Sequence, residues 1–321
     1  MNQKAVKDIG WLRRISSFFP SRIILTANNC RIFDFLDGQG KTVGNVAKAA
    51  VIDGRATELL LNSLVAIGLL EKKNGRYRNA AVASRYLVTG KPDYQGDILR
   101  HYNTLWENWA GLDIAVKTGR PVRRSHDHES FILGMHNLAL QKVKKVISAL
   151  DLKGVKRVLD LGGGPGTYSM GFAKKKMQVT LFDVPETLRI SKRLIRAAGL
   201  SGSVKLVPGD FTKDDLGSGY DLIFISQILH AYGVDECISM LRKCNAALSK
   251  GGKVVVQEFY LDETRTNPLQ GALFAINMLV NTQNGRTYTP GEMSLCMKKA
   301  GFRDTGVKII DETVLLTGTK K

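Results

Sequence analysis

A glycine-rich turn that follows a hydrophobic strand is the feature of this sequence best suited to chemistry. Residues 158–167 read Val-Leu-Asp-Leu-Gly-Gly-Gly-Pro-Gly-Thr, and a second short strand that begins at Val179 ends in Asp183. Adjacent parallel strands end at the same edge of a sheet. We therefore expect the loop backbone to lie against a ligand, and the Asp183 carboxylate to accept hydrogen bonds from a ribose diol. Glycine loops occur in many nucleotide-binding proteins, so the residues further along must identify the ligand.

Three further positions fall where later strands end. Asp210-Phe211 offers an acceptor for an adenine amino group and a ring that can stack on the base, while His230 and Glu258 follow the next two strands. A histidine alone at the start of a helix is usually structural. With Glu258 at the matching end of the neighbouring strand, the two side chains could converge beside the cofactor, and this arrangement favours a catalytic pair.

The elements that must position these residues alternate between strand and helix from residue 156 onward, which is typical of an α/β fold with a doubly wound, Rossmann-like sheet. The predicted helices include 186–198 and 235–248, and a Gly251-Gly252 turn is predicted to lead into the fifth strand. The predicted strands are 157–161, 179–183, 204–207, 221–226 and 253–259, with a terminal pair at 306–310 and 313–319.

The first part of the chain is predicted to be mostly α-helical, with one hairpin. Thr42 caps a helix over 43–50, a second helix over 57–67 ends at Gly68, and a hairpin over 69–78 turns at Asn74-Gly75. Helix, helix and hairpin in this order indicate a winged helix. The second helix is rich in Leu and Ala and has few side chains that read bases, so dimerisation is favoured over DNA binding.

The predicted domains are a winged-helix dimerisation domain over 1–98, a helical connector over 99–153 that contributes to the substrate pocket, and the cofactor-binding domain over 154–321. The connector carries Trp106 and Trp109.

Composition narrows the function classes. The formal net charge is +18, but the lysines and arginines are spread from end to end, and no basic stripe is interleaved with aromatic residues. Attraction of an anionic metabolite is therefore favoured over nucleic-acid binding. No apolar run approaches the roughly 18 residues that cross a bilayer, and no signal peptide is evident, so we predict a cytoplasmic protein. Four scattered cysteines without a CxxC pair predict neither a metal site nor disulfides.

In combination, these motifs resemble the S-adenosylmethionine-dependent O-methyltransferases of the plant caffeate and bacterial antibiotic type. The resemblance extends to the N-terminal winged helix, which dimerises in that family, and so covers nearly the whole chain. The segments that carry it are 158–167, Phe182-Asp-Val-Pro185, Gly209-Asp-Phe211, 226–230 and Gly251-Gly-Lys-Val-Val-Val-Gln-Glu258.

The resemblance implies that S-adenosylmethionine is the cofactor. His230 would be the general base and Glu258 the acid that orients its ring, while Met135 and Met278 would face the substrate. Ser226 stands where many members have a lysine that contacts the cofactor, so that contact is altered. The residues implied to contact the cofactor are Asp160, Gly162, Gly164, Asp183, Asp210, Phe211 and, at the altered position, Ser226.

The implied roles agree with the chemistry. Methyl transfer from a sulfonium is an in-line displacement, and imidazole exchanges protons near neutral pH. A carboxylate on the far ring nitrogen would fix the tautomer. We therefore predict a homodimeric enzyme that methylates a hydroxyl of a small aromatic or polycyclic molecule.

Two departures from the family pattern leave alternatives open. The family often has His-Asp-Trp where this chain has His230-Ala-Tyr232, and Thr287 occupies the place of a second acid that flanks the histidine in plant members. Loss of that acid would weaken the base. One alternative is a family member that binds the cofactor but performs other chemistry. The other is a winged-helix DNA-binding regulator that uses the cofactor fold as a sensor.

Overall fold

Two units make up the computed structural model, which describes residues 8–321: the first ends at Asn103 and the second begins at Thr104. The elements of the first unit are α1 (Ile9–Ser16), α2 (Phe19–Asn29), α3 (Ile32–Phe35), α4 (Val43–Ala50), α5 (Gly54–Ile67), β1 (Leu70–Lys73), β2 (Arg76–Asn79) and α6 (Ala81–Tyr86), and α7 (Gly96–Trp109) continues into the second unit.

The local signals of the first unit are confirmed. The Thr42 side chain caps α4 by accepting from Asn45 N, and Gly68 ends α5 with a φ of +87°. The antiparallel hairpin β1–β2 turns at Asn74-Gly75, where both residues have positive φ as its two-residue turn requires. The second helix begins at Gly54, earlier than predicted, because the Asp53 side chain accepts from Ala56 N and caps it there.

The second unit contains the α/β fold with the seven-stranded sheet. After α7 its elements are α8 (Leu112–Thr118), α9 (His128–Ala149), β3 (Arg157–Leu161), α10 (Thr167–Ala173), β4 (Gln178–Asp183), α11 (Pro185–Ala197), β5 (Val204–Pro208), β6 (Tyr220–Ser226), a 3₁₀ turn (Leu229–Ala231), α12 (Val234–Ala247), β7 (Leu248–Phe259), α13 (Leu269–Asn281), α14 (Pro290–Lys299), β8 (Arg303–Ile310) and β9 (Thr313–Thr319).

The seven strands of this unit lie in the order β5-β4-β3-β6-β7-β9-β8. β3 to β7 are parallel, and β9 runs antiparallel to both β7 and β8. The strand order reverses between β3 and β6. This is the switch point at which doubly wound sheets bind ligands, and the loops after β3 and β6 border it. The predicted α/β class and doubly wound topology are confirmed.

Helices cover both faces of the sheet, so the central strands are mostly hydrophobic. One face packs against α12 and α14 through residues such as Leu241 and Met297. The other packs against α9, α10 and α11 through residues such as Ile147, Phe172 and Ile195. A rigid core of this kind fixes the strand ends to which the candidate residues are attached.

The fifth strand differs from the prediction. β7 begins at Leu248 and runs through Gly251-Gly252, where the sequence predicts a turn. The pairing with β6 shifts register between Tyr220 and Leu222, and Gly251 has a φ of +76°. The glycines therefore form an irregularity within the strand rather than a turn before it. Within residues 8–321, no helix has the length and apolar character needed to cross a bilayer.

Candidate active site

The loop after β3 leaves its backbone uncovered. Gly162 and Gly164 have φ values of +63° and +52°, a region that side chains disfavour. A Cβ built on Gly162 would lie 2.8 Å from Ile228 Cδ1 and 3.3 Å from Phe211 Cε1, whereas one on Gly164 would meet nothing closer than 4.0 Å. The loops after β3, β5 and β6 therefore converge around Gly162, while the space beside Gly164 is open.

Asp183 lies at the tip of β4 and is tied to the same loop. Its Oδ2 accepts from Gly164 N at 2.8 Å and its Oδ1 from Val184 N at 2.7 Å. The carboxylate is only 8% exposed. Burial raises its pKa, and the two backbone N–H groups oppose that rise. The structure thus brings together Gly162, Gly164 and Asp183 at one edge of the sheet, and their contact with a cofactor stays a prediction.

Asp160 lies beneath the loop rather than on its surface. It is fully buried, and its Oδ2 accepts from Ser169 Oγ at 2.6 Å, while its Oδ1 has no hydrogen-bond partner among residues 8–321. Burial raises the pKa of Asp160 to about 7. A Cβ on Gly163 would lie 2.7 Å from its carboxyl group, so the residue supports the loop from below. A direct contact with the cofactor stays a prediction.

Asp210 and Phe211 follow β5. Phe211 approaches Gly162, and its ring lies 6.0 Å from that of Tyr232 in an edge-on arrangement. Asp210 is more exposed, and its Oδ1 accepts from the hydroxyl and backbone N–H of Thr212. The hydrogen bond from the Thr212 hydroxyl is the largest cause of the lowered pKa of Asp210. Phe211 is therefore placed at the loop, and the Asp210 carboxylate lies beside it.

Ser226 ends β6 and pairs in register with Gln257. Its hydroxyl donates to Gln257 Oε1 at 3.1 Å. Ser226, where the resemblance implies an altered cofactor contact, thus has a short side chain that is hydrogen-bonded to the neighbouring strand.

His230 and Glu258 form a hydrogen-bonded pair at this edge. His230 sits in the 3₁₀ turn after β6 and Glu258 near the end of β7. Their Nδ1 and Oε2 atoms are 2.7 Å apart, and Glu258 Oε1 also accepts from the backbone N–H of His230 at 3.2 Å. Their side chains are 13% and 4% exposed. The carboxylate therefore fixes both the ring and the backbone that carries it.

Two aromatic rings that sequence reasoning missed flank the imidazole. Phe274 on α13 meets His230 edge-on at 4.8 Å between centroids, and Phe259 lies 3.9 Å from Phe274. Phe259 directly follows Glu258 and could have been suspected for that reason. Phe274 reaches the site from a helix that the sequence analysis did not delineate.

The remaining predicted residues lie on separate elements. Met278 is buried on α13, one turn beyond Phe274, while Met135 is half-buried on α9. Thr287 is buried and donates to the carbonyl of Gly271 at 3.0 Å, so its hydroxyl stabilises the start of α13. Among the described residues 8–321, no group of His, Cys, Asp and Glu side chains has a geometry that could hold a metal ion.

Comparisons with known proteins show the family to which the chain belongs. A family model described as an O-methyltransferase domain matches residues 97–303, and one described as an O-methyltransferase dimerisation domain matches residues 12–89. A 3-hydroxy-5-methyl-1-naphthoate 3-O-methyltransferase from Streptomyces sahachiroi is 31% identical, over 89% of this chain and 87% of the relative.

Two further relatives are similar over their whole length. The tetracenomycin polyketide synthesis 8-O-methyl transferase TcmO of Streptomyces glaucescens is 30% identical over 91% of each chain. The crystal structure of human N-acetylserotonin methyltransferase in complex with SAM superposes with a TM-score of 0.89 at 26% identity, covering 100% of this chain and 99% of the human one.

Proposed function

Because the chain belongs to the O-methyltransferase family and is an S-adenosylmethionine-dependent enzyme, we propose that it methylates a hydroxyl of a small aromatic or polycyclic molecule with His230 as general base. The observation that carries the proposal is the 2.7 Å hydrogen bond between His230 Nδ1 and Glu258 Oε2, at the sheet edge where the glycine loop also ends.

The residues at the switch point fit the cofactor. The open backbone at Gly164 leaves room for close approach, the Asp183 carboxylate can accept from ribose hydroxyls, and Phe211 offers a ring face for adenine. When bound, S-adenosylmethionine supplies a methyl group already activated by the positive sulfur. What the protein must add is a positioned and deprotonated nucleophile.

The His230–Glu258 pair determines which ring nitrogen acts. A carboxylate only accepts, so Nδ1 of the neutral imidazole carries the proton and donates to Glu258 Oε2. Nε2 is then the basic nitrogen, and it accepts the proton of the acceptor hydroxyl as the oxygen attacks. The imidazolium that results is stabilised by Glu258, and its proton passes to solvent after product leaves.

An aromatic acceptor is supported by Phe259 and Phe274. Their rings give the imidazole an apolar border on which a flat molecule can lie, and aromatic contacts of this kind stabilise by about 0.5–1.5 kcal/mol beyond burial. One relative is named as the methyltransferase of a naphthoate, and the name of another refers to the synthesis of the polyketide tetracenomycin. Both are fused-ring molecules.

We also propose that the protein is a homodimer formed through the first unit. The dimerisation-domain model matches residues 12–89. In addition, Ile9, Leu12 and Ile15 are each at least half exposed and recur at helical spacing along α1. An exposed apolar stripe of this kind is typical of a surface that a second subunit covers. Light scattering during size-exclusion chromatography would give the mass of a dimer if the proposal holds.

The catalytic proposal is tested by incubating the purified protein with S-adenosylmethionine and a panel of hydroxynaphthoic acids, hydroxyanthraquinones and hydroxyindoles. We expect mass spectrometry to find one added methyl group on a ring hydroxyl, with an equal amount of S-adenosylhomocysteine formed. Tight binding of S-adenosylhomocysteine without methylation of any panel member would contradict the proposed acceptor class. Absence of that binding would contradict the proposed cofactor site.

A further inference from the structure

Two histidines of α9 hold buried threonines on the two helices that follow the cofactor-binding strands. His136 Nδ1 lies 2.7 Å from Thr167 Oγ1, and His128 Nε2 lies 3.2 Å from Thr187 Oγ1. Both threonines are almost fully buried, at 3% and 2% exposure. Neither histidine belongs to the catalytic pair or to the cofactor contacts that the sequence predicts.

The threonines stand where they can transmit these contacts to the cofactor site. Thr167 is the first residue of α10, directly after the glycine loop, and Thr187 lies in the first turn of α11, close after Asp183. Burial raises the pKa of Asp183, and the Thr187 hydroxyl is among the groups that oppose that rise. His128 Nε2 lies within hydrogen-bonding distance of the same hydroxyl, so His128 contacts a group that acts on Asp183.

Each of these helices also holds the loop through a serine. On α10, Ser169 Oγ donates to Asp160 Oδ2 at 2.6 Å beneath the loop. On α11, Ser191 Oγ donates to the carbonyl of Gly164 at 2.5 Å. A helix shift at either threonine would therefore move the loop backbone or Asp183 directly.

Hydrophobic packing holds α9 against the core of the second unit without the histidines. The C-terminal half of α9 packs into the core through Val146 and Ile147, and Ile147 fits against Gly171 of α10, where an added Cβ would lie 2.4 Å from its side chain. The polar contacts lie instead in the half of α9 nearest the site. The histidines thus add orientation to a helix that hydrophobic packing already attaches.

We propose that His128 and His136 are positioning residues for the cofactor: α9 acts as a brace that fixes the loop after β3 and the Asp183 carboxylate through Thr187 and Thr167. The inference rests on the proposed function of that edge. It predicts that removing either contact weakens cofactor binding and leaves the proton-transfer step at His230 unchanged.

The test uses variants matched to each ring nitrogen. His136→Asn keeps a hydrogen-bonding atom near the Nδ1 position, and His128→Gln keeps one near Nε2, whereas the corresponding alanine variants keep neither. Thr167→Val and Thr187→Val remove the partner hydroxyls at nearly constant volume. Glu129→Gln on the same helix turn is the control, because the Glu129–Arg193 pair is exposed on both sides.

Calorimetric titration with S-adenosylhomocysteine and steady-state kinetics give the readouts. For each alanine or valine variant we expect the Kd and the KM for S-adenosylmethionine to rise about 3- to 10-fold with kcat nearly unchanged, as expected for one lost buried hydrogen bond. His136→Asn, His128→Gln and Glu129→Gln should stay within about 2-fold of the wild type. The paired variant His136→Ala/Thr167→Val should lose no more than either single variant, because both remove one interaction.

Unchanged affinity in the alanine variants would overturn the inference. So would an equal loss in the Asn and Gln variants, since that result assigns the effect to packing. The titration of the wild-type protein distinguishes failure of the proposed function from failure of the inference about α9. If the wild-type protein does not bind, the proposed function fails and the inference fails with it. If the wild type binds and the variants match it, only the inference fails.

Discussion

Two regions of the second unit are held in place by different kinds of contact. The cofactor edge, residues 160–167 with Asp183, consists of backbone fixed by short-range hydrogen bonds to residues at the strand tips. The acceptor wall, His230, Glu258, Phe259 and Phe274, consists of side chains from three separate elements joined by the His230–Glu258 hydrogen bond and by ring contacts. A backbone cradle suits a ligand that never changes, whereas a wall of side chains can be altered residue by residue to suit another acceptor.

The contrast assigns different effects to the two regions. Substitutions in the acceptor wall should change turnover with little effect on the affinity for S-adenosylhomocysteine. Substitutions in the cofactor edge should change that affinity, and the proton-transfer step should remain. A variant that changed turnover and the affinity for S-adenosylhomocysteine by similar factors would show that the two regions act as one.

The largest effect is expected for His230→Ala. Without the imidazole the wall loses its general base, so kcat should fall on the order of 10²- to 10⁴-fold. The Kd for S-adenosylhomocysteine should stay within about 3-fold of the wild-type value. Single-turnover kinetics and calorimetry measure the two quantities. Turnover that stays near the wild-type level would remove His230 from the mechanism.

Glu258→Gln should have the next largest effect. The amide keeps the shape of the side chain but not the negative charge that stabilises the imidazolium, and it can present N–H to Nδ1 and so favour the wrong tautomer. We expect kcat to fall about 10²-fold with cofactor affinity retained. A loss confined to KM for the acceptor would instead assign Glu258 to substrate binding.

On the cofactor edge, Asp183→Ala removes the carboxylate that Gly164 N and Val184 N hold in place. Loss of hydrogen bonds to a charged group should raise the Kd for S-adenosylhomocysteine about 10- to 100-fold. Turnover at saturating cofactor should fall much less. The matched variant Asp210→Ala, at a more exposed carboxylate, should raise the Kd by about 10-fold or less. If the two variants weakened binding equally, burial would not distinguish the two contacts.

Asp160→Asn tests the buried support beneath the loop through its pH dependence. The folded-state pKa of Asp160 is raised to about 7, above its unfolded value, so its contribution to stability is fully present below the unfolded pKa and is lost as pH rises through about 7. Between the unfolded and the folded pKa of Asp160, the free energy of unfolding falls by about 1.4 kcal/mol per pH unit. Asparagine does not titrate, so the Tm of the unliganded variant should rise relative to that of the wild type between about pH 4 and pH 7, and the difference should level off above that pH. A constant difference in Tm would contradict the raised pKa.

The contrast also explains what could be predicted from the sequence. The glycine loop, the place of Asp183 and the alternation of strand and helix are encoded locally, and the structure reproduces them. The His230–Glu258 contact followed from the rule that parallel strands end together. Phe274 and the histidine contacts of α9 were missed because they depend on how helices distant in sequence pack against the sheet. The Gly251-Gly252 irregularity was misread because a glycine pair indicates a turn and a strand bulge equally well.

The smallest effect is expected for Phe274→Leu, which sharpens the comparison within the acceptor wall itself. Leucine keeps an apolar surface beside His230 but loses the edge-on ring contact at 4.8 Å and the stack on Phe259. Since an aromatic pair adds about 0.5–1.5 kcal/mol beyond burial, the KM for a flat acceptor should rise about 2- to 10-fold. The KM for S-adenosylmethionine should not change, because Phe274 takes no part in the cofactor edge. If kcat fell more than KM rose, the ring would hold the imidazole in place rather than the acceptor, and the wall would share the rigidity of the cofactor edge.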